Sequence, residues 1–354
     1  MVDWKGLYNW SMQYSDGTKP TEFKPMSKED MDFLEKAFES VALNEMKEIW
    51  KILDICKTPE GDTEEEINER YELLEKMSEH IDGLENANNI VRGKRFNEIV
   101  QHFFETKHKK IKIEYARIIT QMTQNESYVQ KAALQLGIFK FLKDLNEEKD
   151  QQLINIYIYM LTGLLYGDDI TTKKYFVEEC DGIKFLFNLL IREFNNNKNT
   201  KRLLNIFSEL TKYTDEKLVK GGREMRQFIM KQIKDIELHH RFIQMLKDYK
   251  YENENCCDII HLIFSIIYNL TQLFMDKIEE IFNQIKIMDK LIDSSNLEND
   301  IKKNEKKFLY EMITNIQQKI KDIKEHKEED DKVDENIEYK KIGNKDSMKI
   351  KINK

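Results

Sequence analysis

Met31, Leu34, Phe38 and Val41 lie three or four positions apart, the spacing of one face of an α-helix. Ser27 with Asp30 forms a start resembling a capping box, so an amphipathic helix is predicted from near Lys28. Asn44 reads as the cap of a second helix carrying Ile49, Trp50, Leu53 and Cys56, and Thr58-Pro59-Glu60-Gly61-Asp62 then breaks the chain. Longer runs of the same period predict helices over Ile67 to Ile81, Ile113 to Thr123, Gln152 to Leu165 and Lys201 to Tyr213.

Shorter segments between these runs resemble one another. VRGKRFNEIV, LQLGIFKFLKDL and ECDGIKFLFNLL each place a glycine (Gly93, Gly137, Gly182) just before an apolar helix. The glycines recur about every 44–45 residues, inside the period of armadillo and HEAT repeats. Each glycine is therefore expected at the corner between two helices of one repeat, where a missing Cβ allows a sharp turn. A fourth repeat is irregular around Lys220-Gly221-Gly222, a fifth is expected from Cys256 to Ile292, and Asn304 to Ile323 reads as a terminal capping helix. The predicted fold is all-α, an armadillo-like right-handed helical repeat solenoid. Its parts are a flexible N-terminal segment (1–26), N-terminal helices (27–57), repeats with their cap (64–325) and a disordered charged tail (326–354).

Composition agrees with an all-helical chain. All three prolines (Pro20, Pro25, Pro59) precede residue 60, and glycine is only 12 of 354 residues. The net charge of -8 argues against nucleic acid as partner, and the basic run from Lys107 to Lys112 reads as solvated surface. Cys56, Cys180, Cys256 and Cys257 have no zinc or CxxC spacing and read as buried thiols of a reducing compartment. The longest apolar stretches, Ile154 to Leu165 and Ile259 to Leu270, are too short to span a bilayer, so a cytoplasmic protein with no membrane partner is expected; it is also expected to be a monomer.

Catalytic motifs are missing: there is no P-loop, GxSxG, HExxH or dinucleotide glycine pattern, and no cofactor is implied. His239-His240 and the Cys256-Cys257…His261 group offer two metal ligands on one helix face at best, so no metal site is expected. A solenoid without a reactive site binds with its concave face, lined in armadillo repeats by the last helix of each repeat. The polar residues expected to project there are Lys76, Glu79, Arg117, Gln121, Gln124, Asn205, Glu209, Lys212 and Asn269. Ahead of the first long helix, Trp4 and Trp10 stand in a polar stretch in which Leu7, Trp10 and Tyr14 are spaced as one face of a short helix, a face that needs a partner.

LYNWSMQYS (Leu7, Trp10, Ser11, Met12, Ser15) resembles the N-terminal segment of the fungal armadillo-type nucleotide exchange factors of the cytosolic 70-kDa heat-shock chaperone. PMSKEDMDFLEKAF is similar to that family's helix start through Pro25, Met26, Ser27, Phe33, Leu34 and Ala37. HIDGLENANNI resembles one repeat signature through Asp82, Leu84, Glu85, Asn86, Ala87 and Ile90. TQNESYVQKAALQLG resembles a second through Gln124, Asn125, Val129, Gln130 and Gly137. Thr120-Gln121 departs from the family, which has a small pair, usually with glycine, before the second signature.

The resemblance implies a non-enzymatic co-chaperone. Such a factor holds one lobe of the chaperone's ATPase domain in the concave groove, displaces the other lobe, opens the nucleotide cleft and so promotes release of ADP and of client. It also implies that the N-terminal segment, through Leu7, Trp10 and Met12, mimics a client. The alternative is a generic armadillo adaptor or scaffold. An import-receptor type is excluded, because no tryptophan follows Trp50 to form the Trp/Asn ladder it would need.

Overall fold

The computed structural model describes residues 28–81, 84–212, 222–248, 251 and 253–349, with side chains as far as Glu325 over most of that range. Leu7, Trp10 and Met12 lie outside it. Among the described residues there are helices and no strands. The chain divides into two compact units, residues 1–172 and 173–354.

In the first unit α1 spans Lys28–Cys56 as one continuous helix of 29 residues. Asn44 therefore caps nothing. A lone asparagine costs a helix interior well under 1 kcal/mol, and no proline or glycine stands beside it to end the run. The predicted break after Cys56 is present. Thr58 Oγ1 donates to Ile55 O (2.7 Å), and the buried Arg70 guanidinium donates to Thr58 O (2.9 Å) and Thr58 Oγ1 (3.0 Å), pinning the loop to the next helix.

That helix, α2 (Glu64–Ile81), starts three residues before its first apolar position because Thr63 and Glu66 form a reciprocal capping box. Glu66 N donates to Thr63 Oγ1 (3.3 Å) and Thr63 N donates to Glu66 Oε2 (3.1 Å). The unit continues with α3 (Leu84–Arg92), α4 (Phe96–Glu105), α5 (Lys109–Thr123), α6 (Ser127–Gln135), a 3₁₀ turn (Ile138–Lys140), α7 (Phe141–Glu147) and α8 (Gln151–Leu165). Asp150 caps α8, its Oδ1 accepting from Gln152 N (2.9 Å) and Leu153 N (3.2 Å).

The long helices α2, α5 and α8 lie side by side, α5 packing against both others, while α4 and α7 back α5 and α8. The aromatic and aliphatic run in α8 is core: Ile154, Tyr157, Ile158, Leu161 and Leu165 are all buried. Each such side chain contributes on the order of 1.5–3 kcal/mol.

The second unit takes up the same plan. It contains most of α9 (Ile170–Glu179), then α10 (Gly182–Glu193), α11 (Asn197–Lys212), α12 (Gly222–Asp235), α13 (Leu238–Asp248), α14 (Glu254–Asn269), a 3₁₀ segment (Thr271–Lys277), α15 (Ile278–Ser294) and α16 (Asn299–Lys349). The long helices α11 and α14 pack together, and α16 closes against α14 and α15 through the buried Leu309, Met312 and Ile316. The backbone of α16 runs on to Lys349, past the point where the charged composition predicts packing to end.

The periodic glycines occupy the predicted corners for two different reasons. Gly137 is itself left-handed, with φ +71°. At the other two corners the left-handed residue is the neighbour, Lys94 (φ 57°) or Asp181 (φ 49°). There the glycine serves close approach: a Cβ on Gly182 would stand 2.6 Å from Phe176 O.

Candidate partner-binding face

Hydrogen bonds between the long helices of the first unit set their register. Lys110 Nζ donates to Asn68 Oδ1 at 2.8 Å, 42 positions apart. Ser78 Oγ donates to Gln121 Oε1 at 2.6 Å, 43 apart, and Lys109 Nζ reaches Asp150 Oδ2 at 2.6 Å, 41 apart. Offsets of 41 to 43 bring Glu75, Arg117 and Tyr159 to corresponding positions in a row across α2, α5 and α8. All three have surface in solvent, so the row is a mixed strip of acid, cation and aromatic.

Arg117 is held from below. Its Nη1 donates to Glu114 Oε2 at 2.6 Å; the Glu114 side chain is fully buried, while that of Arg117 is 41% exposed. Burial pushes the Glu114 carboxyl above its ordinary range; Arg117 opposes that shift and Glu75 adds to it. Tyr71 OH donates to Glu75 Oε1 (3.0 Å), and the Lys110 ammonium lies 4.0 Å from the centre of the Tyr71 ring. Burial raises the pKa of the Tyr71 phenol, so it donates and does not ionise near neutral pH.

In the second unit α11 and α14 are joined the same way. Lys201 pairs with Asp258, Ser208 Oγ meets Ser265 Oγ at 3.0 Å, and Asn269 Nδ2 donates to Thr211 Oγ1 at 3.1 Å. Glu209 differs from its sequence reading. It does not project; it is buried, bonded to Lys173 Nζ at 2.7 Å and to Lys212 Nζ at 2.8 Å. Lys173 in α9 is itself only 1% exposed, so this is an internal ion pair linking α9 to α11.

The other predicted face residues are distributed unevenly. Arg117 and Gln121 lie in the α2/α5 network, Glu79 is exposed on α2, and Gln124 is exposed at the C-terminal cap of α5. Lys76 turns to α1, where it pairs with Glu48 (2.9 Å). In the second unit Asn205 is half-buried, Lys212 is 52% exposed beside Glu209, and Asn269 is tied to α11. Sequence reasoning missed Glu75, Glu114, Tyr159 and Lys173. The spacing of Glu114 to Arg117, three residues on one helix, was a legible pairing signal. Lys173 carried none.

Several of the residues behind the two repeat signatures are structural, and Asp82 lies outside the described residues. Asn86 Nδ2 donates to Glu45 Oε2 (2.9 Å) and His80 O (2.7 Å), while Ala87 and Ile90 are core. Asn125 takes the left-handed conformation (φ 60°) that asparagine tolerates, and Val129 is fully buried. Gln130, also buried, donates through Nε2 to Thr123 O (3.0 Å), Gly163 O (2.9 Å) and Tyr166 O (2.6 Å). Thr120, where a small residue was expected, fits because the small residue is across the interface. A Cβ on Gly163 of α8 would lie 2.9 Å from Thr120 O.

Among the described residues no group of side chains could hold a metal ion, and no single helix is long and apolar enough to cross a membrane. His261 pairs with Glu305 (2.8 Å) and lies over the Phe308 ring, 3.8 Å between centroids.

No curated protein matches the chain. Solved structures do. An engineered protein from the Northeast Structural Genomics Consortium aligns with TM-score 0.54 at 14% identity, covering 76% of this chain and 96% of its own. A designed armadillo repeat protein aligns with TM-score 0.53 at 10% identity, covering 75% and 98%. A second designed armadillo repeat protein, in complex with the peptide (KR)4, aligns with TM-score 0.50 at 12% identity, covering 74% and 98%. At these identities the likeness is one of fold. The family resemblance is carried by the N-terminal part: over residues 4–90, on an armadillo-like all-helical fold, this chain matches the family described as nucleotide exchange factor Fes1.

Proposed function

We infer that the chain is a nucleotide exchange factor and co-chaperone for a cytosolic 70-kDa heat-shock chaperone, acting without bond chemistry of its own. The observation that carries this is the Fes1 family match over residues 4–90, which reaches across α1, α2 and α3. Its partner is the chaperone's ATPase domain, bound as a monomer in the cytoplasm through the polar faces of the long helices. The mixed acid, cation and amide lining suits a folded protein surface better than phosphate.

The thermodynamics are those of linkage. A factor that binds the open, nucleotide-poor ATPase domain more tightly than the closed one weakens nucleotide binding, and nucleotide weakens the factor by the same ratio. Leu7, Trp10 and Met12 act in a second step. Tethered through the segment from Asp16 to Lys24, they reach the chaperone's substrate-binding part at high effective concentration and displace client.

Stopped-flow release of labelled ADP from the chaperone, with and without this protein, tests the reading. Acceleration is expected. Binding without acceleration would instead favour an armadillo adaptor. Deleting residues 1–24 is expected to leave ADP release intact and to slow client release; loss of thermal stability and of exchange would assign the segment to the protein's own core.

A further inference from the structure

The Glu114 carboxylate is the least expected group on the α2/α5 face. It is fully buried, and one of its oxygens accepts from Arg117 Nη1 at 2.6 Å. As cement between α2 and α5 this is a poor choice, because an apolar side chain of similar volume fills such a position at lower desolvation cost. What a carboxylate adds is direction. It fixes one edge of the Arg117 guanidinium from below while a large part of the side chain remains in solvent.

We propose that Glu114 is a positioning residue: it holds Arg117 as a preorganised anchor whose outward N–H groups take an oxygen acceptor on the partner's surface. Arg117 occupies the middle of the row with Glu75 and Tyr159, the place where a binding hot spot is expected, and arginine is enriched at hot spots. Glu75 stands alongside, its carboxylate accepting from Tyr71. Two carboxylates, Glu75 and Glu114, already stand around Arg117, so a neutral main-chain carbonyl fits better than a third carboxylate. The orientation matters because an arginine left free must lose its rotamer freedom on binding, whereas one clamped by Glu114 has lost it in the free protein.

This assignment rests on the exchange-factor reading, and a double-mutant cycle on the full chain separates the two. Affinity for the nucleotide-free ATPase domain and the rate of ADP release are measured for wild type, Glu114→Leu, Arg117→Ala and the double variant, with unfolding followed by circular dichroism. Each single change is expected to weaken binding roughly tenfold and the double change hardly more, because Glu114 acts only through Arg117. Arg117→Lys, which keeps the charge and loses the fork, is expected to behave like Arg117→Ala. Additive losses, or wild-type affinity in Glu114→Leu, would overturn the proposal. If Glu114→Leu unfolds, Glu114→Gln takes its place in the cycle with the same criteria. ADP release that is accelerated equally by wild type and both single variants overturns this assignment alone; no acceleration by wild type overturns the exchange reading and the assignment with it.

Discussion

Glu209 provides the sharpest test of what the tertiary structure adds. Lys173 Nζ lies 2.7 Å from Glu209 Oε1, with the two side chains 1% and 8% exposed. Glu209→Leu therefore removes a carboxylate 2.7 Å from a buried ammonium group, and breaking a buried pair in this way costs about 3–5 kcal/mol. The Lys212 contact adds little, since that side chain is 52% exposed. A loss of this size is a large share of the roughly 5–15 kcal/mol that holds a domain folded. At about 2–4 °C per kcal/mol it lowers the melting temperature by roughly 6–20 °C. Replacing both partners, Lys173→Met with Glu209→Leu, removes the buried ammonium as well and is expected to restore stability to within about 2 kcal/mol of wild type or above it. Thermal and urea unfolding followed by circular dichroism measure both variants. A Glu209→Leu protein that melts with wild type but loses chaperone affinity would refute the reasoning, because Glu209 would then be a contact and not a core pair.

Three further outcomes are expected. Gln130→Leu removes the amide that three buried or half-buried carbonyls share and costs roughly 2–4 kcal/mol in urea unfolding, although the new side chain is apolar. Gly163→Ala puts a Cβ 2.8 Å from Thr123 Oγ1 and 2.9 Å from Thr120 O, so α5 and α8 must separate; a loss of about 1–3 kcal/mol is expected, and an unchanged urea midpoint would show that they need not touch there. Burial raises the folded-state pKa of Glu114 above its ordinary value of 4.5, so its contribution to stability is fully present below that pH and is lost as pH rises through the raised value; Glu114→Gln should flatten the urea midpoint across that window.

Much of this architecture is legible along the chain. Apolar spacing of three and four determines where a helix forms, because the period belongs to a single element and asks nothing of its neighbours. The recurring glycines likewise announce repeats, since each repeat needs the same corner. Asn44 marks where such local reading stops: a capping residue is also a tolerable interior residue, and only the continuity of α1 decides between the two. The candidate face depends still more on what is distant. Glu209 and Glu114 both sit in amphipathic helices as acidic residues; Glu209 reads as projecting, and nothing local to Glu114 marks it as buried. One is buried against Lys173, 36 positions away, and the other beneath Arg117 where α2 crosses α5 in a register of about 42 residues. Helix formation is a local balance of propensity and period, whereas the environment of a charge is settled by which helix packs over it, and that is decided by the stacking of one repeat on the next.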